Sequence, residues 1–407
     1  MAAIGLGDSA PSSPTLAPGA AQSGTTKLLT AIEADRIADE WRALAAEALE
    51  PNHFFLPDVV RAAMRSFASD VRVLAVRGVG GRLIALAPVT PTRLGRIAPA
   101  LRIWSHDYGP FGAPLVANGA VADAASLLIG VAPTLVFPDL PLDGATAQAL
   151  LKAARQTGRS INILDACQRA ALFQASAKSD LRAMQPTRRR KEFARQMRRL
   201  AELGPVTIEA ASSPDTVRTA FEELLALEAK GWKGRGATAI LANPQIAAFA
   251  RVVVAIRAEA GGARVDALRL AGKPIAMVVS FLDGASAWTW KIAFDEAYAR
   301  FSPGAQLMLE LPSRIFADGK IAQIDSLATP DHPMIDHLWR DRIAIGTLVI
   351  GSGGPVHRLA FLSAEIELRA RLVARRFRDR LRRGQRSGEE SGDSATNVKR
   401  RSNHEPH

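Results

Sequence analysis

The first half of the chain alternates between segments with helical spacing of apolar residues and segments with strand spacing. Apolar positions recur every three or four residues between residues 33 and 49 and again after Pro57, which predicts two helices. Residues 71–89 form two apolar runs joined by a glycine-rich turn at residues 78–81, the pattern of a β-hairpin. The elements predicted next are strand 101–104, helix 121–129, strand 134–137, helix 145–156 and strand 160–164.

The second half repeats this order of elements. Its predicted elements are helix 214–230, helix 244–260 and a hairpin over residues 264–281. Trp41, Pro57 and the first hairpin correspond to Trp232, Pro244 and the second hairpin at a shift of about 190 residues. The repetition predicts two similar α/β lobes.

Segments of different composition set the predicted limits of the lobes. Residues 1–27 are mostly Ala, Gly, Ser, Pro and Thr, without a basic region ahead of an apolar one, which predicts a disordered leader and not a signal peptide. The tail after Gly384 is polar and is also predicted to be disordered. The predicted lobes are residues 28–180 and 181–383, the second containing a basic helix over 187–203, a strand over 345–350 and a helix over 364–383.

One stretch in the second lobe, residues 285–325, has a well-marked helix start between two strands. A strand over residues 287–294 precedes Ser302, Pro303 and Gly304, and a second strand follows at residues 321–324. We expect Ser302 to cap the helix and Pro303 to take its first position, while Gly304 brings no side chain. Such an end presents unpaired N–H groups and the positive end of the helix dipole, which suits a phosphate; the alternative is an ordinary capped helix facing water.

Charge separates this chain from an average globular protein. The net charge is +12 and the sequence pI is about 10.5, with arginine concentrated in residues 188–199 and 369–386. Such blocks suit an anionic partner (phosphates, an acidic membrane surface or nucleic acid), or they are solvated faces. Few aromatic residues accompany them, which argues against single-stranded nucleic acid.

Cysteine content restricts the chemistry and the compartment. Cys167 is the single cysteine, so the chain forms neither an internal disulfide nor a cysteine-based zinc cluster. This fits a reducing compartment, and we predict a cytoplasmic protein. The histidines show no metal-ligand spacing, and no metal site is predicted.

Five motifs, taken in order, carry a family resemblance. They are KEFARQMRRLAELG from Lys191, LEAKGWKGRGATAI from Leu227, GKPIA from Gly272, WTWKIAFDEAYARFSPGAQLMLE from Trp288 and IDSLA from Ile324. Together they resemble the FemAB-like branch of the GNAT acyltransferases, a group found in bacterial cellulose and exopolysaccharide gene sets. The resemblance spans residues 35–370 approximately. It implies two tandem GNAT-like lobes, each a mixed, mostly antiparallel sheet flanked by helices, within an α/β fold of the α+β type.

The same resemblance implies an acyl-donor site in the second lobe. The pantetheine of an acyl-CoA would pair with the edge of the strand that carries Ile292 and Phe294. Its pyrophosphate would rest on the start of the next helix, at Ser302, Pro303, Gly304, Ala305 and Gln306. The sequence departs from the family pattern in one respect, because the usual Gly-x-Gly loop is reduced to Gly304.

Acyl transfer to an amine needs a group that takes a proton and donors that stabilise the oxyanion. Asp325 ends the strand after the marked helix, Asp295 and Glu296 follow strand 287–294, and Glu228 lies four residues before Trp232. We predict Asp325, Glu228 and Asp295 as catalytic carboxylates; the alternative for each is a helix cap or an ion pair.

Several other polar residues are candidates for contact with a substrate. Trp232, Lys233 and Arg235 in the WKGRG loop are predicted to hold an anionic acceptor or donor phosphates, or they form a basic surface turn. His106 and Tyr108 are predicted to form a polar site in the first lobe. Lys291 alternates with Trp290 and Ile292 and is expected to face away from both; it is either a buried amine or a solvated one, and we favour the solvated one.

The sequence therefore predicts an N-acyltransferase that moves an acyl group, expected to be acetyl, from acyl-CoA to an amine. The expected acceptor is a saccharide or lipid-linked precursor of the cell envelope or an exopolysaccharide, and the basic C-terminal helix would contact anionic membrane. One alternative is a transferase that uses aminoacyl-tRNA, as FemAB relatives do, with RNA on the arginine blocks. The other is a non-catalytic GNAT-fold accessory protein of polysaccharide assembly.

Overall fold

The computed structural model describes residues 24–176 and 180–370, except for the side chain of Trp232. Within these residues, thirteen strands form one sheet. The strands are β1 (Thr25–Leu29), β2 (Arg72–Arg77), β3 (Leu83–Leu94), β4 (Ala98–Ile103), β5 (Leu115–Val116), β6 (Thr134–Pro141), β7 (Ser160–Phe173), β8 (Val206–Ala211), β9 (Ala263–Leu270), β10 (Lys273–Asp283), β11 (Ser286–Phe294), β12 (Gln323–Asp325) and β13 (Asp341–Gly351).

Helices cover both faces of this sheet. The α-helices are α1 (Ala31–Asp35), α2 (Ala38–Ala46), α3 (Pro57–Ser66), α4 (Val121–Gly130), α5 (Ala145–Gln156), α6 (Thr187–Ala201), α7 (Pro214–Lys230), α8 (Trp232–Arg235), α9 (Pro244–Glu259), α10 (Pro303–Ile315), α11 (Ile335–Leu338) and α12 (355–370). Short 3-10 helices are His53–Phe55, Asn118–Ala120, Ile240–Ala242 and Glu296–Phe301. The α/β class, with a mostly antiparallel sheet flanked by helices, is confirmed.

The sheet runs continuously through both halves of the chain. Its strand order is β1-β2-β3-β4-β6-β13-β7-β12-β11-β10-β9-β8, and β5 pairs with β3. Two neighbouring pairs are parallel, β4 with β6 and β11 with β12. These two pairs occupy equivalent places in the two halves, as the repeated element order predicted.

The C-terminal strand β13 lies in the first half of the sheet. It pairs with β6 on one side and with β7 on the other, from Asp341 opposite Ala171 to Gly351 opposite Ser160. The far end of β7 pairs with β12, so β7 borders both halves. β13 falls within the predicted limits of the second lobe, residues 181–383, while the sheet places this strand between β6 and β7; the lobe limits stay a prediction.

Most predicted elements are confirmed, and the differences lie at their ends. β1 begins at Thr25, inside the predicted leader, because it pairs with β2. The predicted helix over residues 33–49 is divided into α1 and α2, and β7 extends to Phe173 instead of residue 164. The predicted helix over 364–383 begins at residue 355, and its part beyond residue 370 lies outside the described residues.

Two large apolar clusters form the core. One contains Trp41, α3, α7 and α9, so side chains from both halves pack together in it. The other contains α10, Trp339 and residues of α6 such as Phe193 and Leu200. No single helix of the described part has the length and apolar composition to cross a membrane; the bent pair Lys233–Ala242 and Pro244–Glu259, at 58°, meets those two criteria jointly.

Candidate functional site

Strand β11 separates from its neighbour β12 after a short parallel pairing. The pairing covers Ser286 to Trp288, which lies opposite Asp325, and β11 continues to Phe294. On its other side, β11 pairs with β10 with a register shift, because Val279 is opposite Lys291 while Ser280 is opposite Thr289. Trp290 is thus an extra residue in β11, a β-bulge of the kind that often adjoins active sites. The part of β11 after Trp288 has an edge that β12 does not cover.

The start of helix α10 differs from the predicted cap. Ser302 has a left-handed φ of 51°, and its side chain makes no capping hydrogen bond. The predicted cap is wrong because a capping residue normally has extended backbone, which directs its side-chain oxygen to the next amides. Pro303 takes the first position, as predicted. Within the described residues, no acceptor meets the amides of Gly304 and Ala305.

Two adjoining cavities connect this helix start with the free part of β11. They measure about 330 and about 380 Å³ and share Phe294, Pro333 and Met334, so they form one continuous groove. The first cavity is lined also by Leu227, Glu228, Gly231, Lys233, Ile292, Ala293 and His332, and the second by Arg189, Phe193, Ala299, Ser302, Pro303, Gly304, Ala305, His337 and Leu338. We call this space the β11 groove.

Gly304 leaves space in this groove, and the backbone at this position does not require a glycine. A Cβ atom at this position would lie 3.6 Å from Met334 Sδ and 3.8 Å from Ile292 Cδ1 and Phe294 Cδ1, which are ordinary contacts. Its φ is not in the left-handed region. An alanine would therefore fit in the protein and would protrude into the groove.

Gln306 faces away from the groove that holds the other predicted donor-site residues. Its side chain is fully buried, with Oε1 accepting from Arg182 at 2.7 Å and Nε2 donating to the Phe193 carbonyl at 3.0 Å. Its backbone amide donates to the Ser302 carbonyl. Gln306 therefore joins α10 to α6, while Ser302, Pro303, Gly304, Ala305, Ile292 and Phe294 line the groove.

Asp325 lies in a buried ion pair between the two halves. Its Oδ2 accepts from Arg169 at 2.8 Å, and its Oδ1 accepts from the Leu327 amide at 2.8 Å. Arg169 also donates to the Pro110 carbonyl at 3.1 Å. Both carboxylate oxygens are thus engaged in bonds that hold β12 against β7. The catalytic role predicted for Asp325 stays a prediction.

Glu228 is buried at the end of α7 and also has both oxygens engaged. Oε1 accepts from Lys233 Nζ at 2.8 Å, and Oε2 accepts from the Ile240 amide at 2.9 Å. Lys233 Nζ donates in addition to the Ile292 carbonyl at 3.1 Å, on the strand that borders the groove. The Glu228 and Lys233 pair therefore lies inside the β11 groove and contacts its strand.

The remaining polar residues after β11 and in the WKGRG loop lie near the outer surface. Asp295 accepts from the Ala297 amide at 2.9 Å and caps a 3-10 helix. Arg235 forms an exposed ion pair with Glu296 at 2.7 Å. Trp232 belongs to α8, but its side chain lies outside the described residues. Their predicted roles in catalysis and substrate binding stay predictions.

A rigid loop of the first half, residues 105–110, faces β11. His106 stacks on Trp104 with ring centroids 4.3 Å apart, and its Nδ1 accepts from the Tyr108 amide at 3.2 Å. Burial lowers the pKa of His106 to about 4, so the imidazole is neutral at neutral pH. Trp290 Nε1 donates to the Tyr108 carbonyl at 2.8 Å and fixes the loop against the bulge. The structure thus brings Tyr108 and His106 to the β11 bulge.

Of the two placements predicted for Lys291, the favoured one, in solvent, is wrong. Its Nζ lies 4.6 Å from the centroid of the Tyr108 ring, between the two halves, and not in open solvent. Burial lowers its pKa to about 8. The prediction failed because it assumed strict alternation, whereas Trp290 and Ala293 pack in one core cluster and Ile292 contacts the other, as a bulge allows. The signal in the sequence was a lysine inside the apolar run WTWKIAF.

The described residues include possible metal ligands and one thiol, that of Cys167. No group of three or more His, Cys, Asp or Glu side chains there has an arrangement that could hold a metal ion. Cys167 is half-buried on β7, and burial raises the pKa of its thiol, which makes it a poorer nucleophile.

Comparisons with known proteins agree with this geometry. Residues 187–332 match the family model described as an acetyltransferase (GNAT) domain, a span that includes α6, Asp325 and most of the residues that line the β11 groove. A comparison with curated protein sequences gives no match. The second half of the chain therefore has a GNAT-type acyltransferase fold.

Three solved structures are similar to this chain at low sequence identity, and the first of them shares its fold. The C-terminal domain (DUF2156) of a protein assigned as a lysylphosphatidylglycerol synthetase from Agrobacterium fabrum is 13% identical, with a TM-score of 0.51, over 82% of this chain and 97% of that one. L-PGS from Bacillus licheniformis is 9% identical, with a TM-score of 0.48, over 81% and 96% of the chains. A tandem GNAT protein from the clavulanic acid biosynthesis pathway is 14% identical, with a TM-score of 0.41, over 82% and 99%.

The buried ion pair generates a stability prediction. Asp325→Ala leaves the Arg169 guanidinium buried without its carboxylate, which should lower the free energy of unfolding by about 3–5 kcal/mol. Chemical denaturation measures this loss. Asp318→Ala, at an exposed carboxylate, is the control and should change stability by less than about 0.5 kcal/mol. A loss below about 1 kcal/mol in Asp325→Ala would show that the pair does not hold the two halves together.

Proposed function

We propose that this protein is an N-acyltransferase that moves an acyl group, in the simplest case acetyl, from acyl-CoA to an amine. The observation that supports this most directly is the start of α10, where the Gly304 and Ala305 amides open into the β11 groove. Two unpaired amides at the positive end of a thirteen-residue helix favour a phosphate group. The match of residues 187–332 to a GNAT domain supports the same reading.

The groove offers complementary groups to the rest of an acyl-CoA. Arg189 from α6 lines its outer end beside α10 and brings a positive charge to the phosphate side. Ile292, Phe294 and Met334 give its middle an apolar surface next to the uncovered edge of β11. We propose that the pantetheine pairs with this edge. The Ile292 carbonyl now accepts from Lys233, so donor binding would exchange this hydrogen bond for one with a pantetheine amide.

The acceptor would reach the thioester from the cleft between the two halves. Tyr108 and His106 lie in the loop that is held against β11 at its bulge, and we propose that they border this approach together with Trp232, Lys233 and Arg235 of α8. Asp325, Glu228 and Asp295 remain the proposed catalytic carboxylates. We keep as the proposed acceptor an amine on a saccharide or lipid-linked precursor of the envelope or an exopolysaccharide, handled in the cytoplasm; the family resemblance is its support.

A second candidate donor is aminoacyl-tRNA. The observation that favours it is the basic helix α6, whose Arg189 lines the groove and whose further arginines are exposed beside it. A polyphosphate chain lying along α6 would bring its acylated end towards α10. A non-catalytic accessory role is the remaining alternative, and the reduced glycine loop is its support.

The donor site is tested by two substitutions at one residue. Gly304→Glu places a carboxylate against the phosphate position and should abolish acetyl-CoA binding, while Gly304→Ala fills part of the groove and should weaken it about tenfold or more. Isothermal titration calorimetry of wild type and variants measures both effects. Gly119→Ala is the control, since a Cβ atom there meets open space and lies away from the groove. All variants should keep wild-type thermal stability.

Three results would contradict or redirect this proposal. Equal acetyl-CoA affinity in wild type and Gly304→Glu would place the donor elsewhere. Failure of wild type to bind acetyl-CoA, with tRNA binding that weakens steeply as salt rises, would favour the aminoacyl-tRNA donor. Failure to bind either would favour the accessory role.

Helix α12 supports a peripheral contact with anionic membrane. One face packs on the protein through His357 and Ala360, while the opposite face exposes Val356, Leu359, Leu362 and Ile366. The arginine block at residues 369–386 starts on this helix and lies beyond residue 370 for the most part. An apolar stripe next to a dense positive charge matches the interface of a bilayer with anionic lipids, where apolar groups insert and arginines meet headgroups.

The membrane contact is tested with vesicles of phosphatidylglycerol and phosphatidylcholine in a sedimentation assay. Leu359→Ser with Ile366→Ser removes two inserting side chains and should weaken binding at least about tenfold. Changing Arg375, Arg376, Arg378 and Arg380 to Glu should abolish binding to the anionic vesicles. Val79→Ser, at an exposed residue in the β2–β3 turn, is the control and should bind as wild type. Unchanged binding of both test variants would remove the membrane contact.

A further inference from the structure

Lys291 lies on β11 directly before Ile292, which lines the β11 groove, and is not itself one of the lining residues. Lys291 is three residues from Phe294, so it lies about 10 Å further along the strand than the outer part of the groove. Among the described residues, no acceptor lies within hydrogen-bond distance of its Nζ, and its nearest recorded partner is the face of the Tyr108 ring. Within the described residues, the Lys291 amine therefore makes no hydrogen bond that holds the fold together.

Charged and titratable groups face Lys291 from two elements. Lys233 and Glu228 lie on the α7–α8 side, with Lys233 disfavouring and Glu228 favouring the ammonium form. On the side of the first half, Asp107 favours the ammonium, Tyr108 lies under it, and His106 is neutral. Burial outweighs these charges and lowers the pKa of Lys291 to about 8, close to the pH at which an enzyme operates.

The nearby carboxylates are already occupied. Asp325 accepts hydrogen bonds from Arg169 and the Leu327 amide, and Glu228 accepts them from Lys233 and the Ile240 amide, so both oxygens of each carboxylate are engaged. Either carboxylate would have to give up an ion pair before it could take a proton from an acceptor. Lys291 has no such bond to lose, and its stem is held by Tyr108 and the bulge.

We propose that the acceptor amine binds beside Lys291, where β11 meets the loop that carries Tyr108, and that Lys291 Nζ is the group that takes the proton from the acceptor. This inference rests on the proposed acyl transfer and adds the residue that serves it. The acceptor nitrogen bonds to the thioester carbonyl carbon and passes a proton to the neutral Lys291 amine. The C–S bond then breaks, and the proton moves from Lys291 to the leaving thiolate, so that an amide and a free thiol result.

Two substitutions of Lys291 remove a proton acceptor in different ways. Lys291→Arg keeps a positive charge in the cleft but cannot release its proton at any working pH. Lys291→Met keeps an apolar stem beside Tyr108 and has no amine. Both should bind acetyl-CoA with a Kd within about threefold of wild type, because the phosphate and pantetheine contacts lie elsewhere in the groove. Lys273→Met, at an exposed lysine of the hairpin turn, is the matched control.

The test follows release of the CoA thiol from acetyl-CoA, with water alone and with glucosamine as the amine probe. Wild-type release should rise as pH increases through about 8, because the neutral amine forms there, and both Lys291 variants should lose about 100-fold or more. Lys273→Met should follow wild type. Lys291→Arg with wild-type release and the same pH profile would overturn the proposal. A parallel loss of donor affinity in Lys291→Met would make Lys291 a donor-binding residue and would overturn it as well.

A second readout does not depend on the acceptor. Trace acetylation by acetic anhydride, followed by mass spectrometry, should give Lys291 a labelling midpoint near pH 8, and bound acetyl-CoA should protect it. Lys273, an exposed lysine, is the reference with which the midpoint of Lys291 is compared. A midpoint of Lys291 equal to that of Lys273, or no protection at saturating acetyl-CoA, would overturn the inference while leaving the donor site intact. Absence of acetyl-CoA binding to wild type would instead remove the proposed function and this inference together.

Discussion

The separation of β11 from β12 after Trp288 is the constraint on which the candidate site depends. Backbone groups inside a sheet are normally paired, so a strand edge between two neighbours is available to a ligand only where the strands diverge. Here the bulge at Trp290 bends β11, and α10 begins where the divergence is wide. The groove, the unpaired amides of α10 and the cleft at Tyr108 all follow from this one departure from regular pairing.

Buried ion pairs hold the divergence in place. Arg169 and Asp325 fix β12 to β7 on one side of the gap, and Glu228 and Lys233 join α7 to β11 on the other. Arg169, Asp325 and Glu228 are almost fully buried and Lys233 is largely buried, and each charge compensates its partner, so removing either member of a pair would cost stability. The carboxylates that sequence suggested as catalytic are thus also those that maintain the shape of the site. Both carboxylates are engaged in hydrogen bonds, whereas Lys291 Nζ has no acceptor among the described residues.

Local signals in the sequence predicted most of the fold. The spacing of apolar residues predicted α3 to α7 and α9, the marked start at Pro303 predicted α10, and turn chemistry predicted both hairpins, because these features depend on neighbours within a few residues. The place of β13 depends on pairing with strands nearly two hundred residues earlier, which no local pattern encodes. The prediction that the Ser302 side chain caps α10 is wrong because Ser302 also ends the preceding 3-10 helix, where its backbone is left-handed. Lys291 was misplaced because a bulge ends strict alternation.

Hydrogen–deuterium exchange of the amides in and around the β11 groove would test the central claim most directly. If the groove binds the donor, saturating acetyl-CoA should slow exchange at Gly304 and Ala305 and along β11 from Trp290 to Phe294. Exchange at α4 and α5, on the far side of the first half, should not change. Slowed exchange confined to the groove is the result that this account predicts. Unchanged exchange at Gly304 and Ala305, despite bound acetyl-CoA, would contradict it.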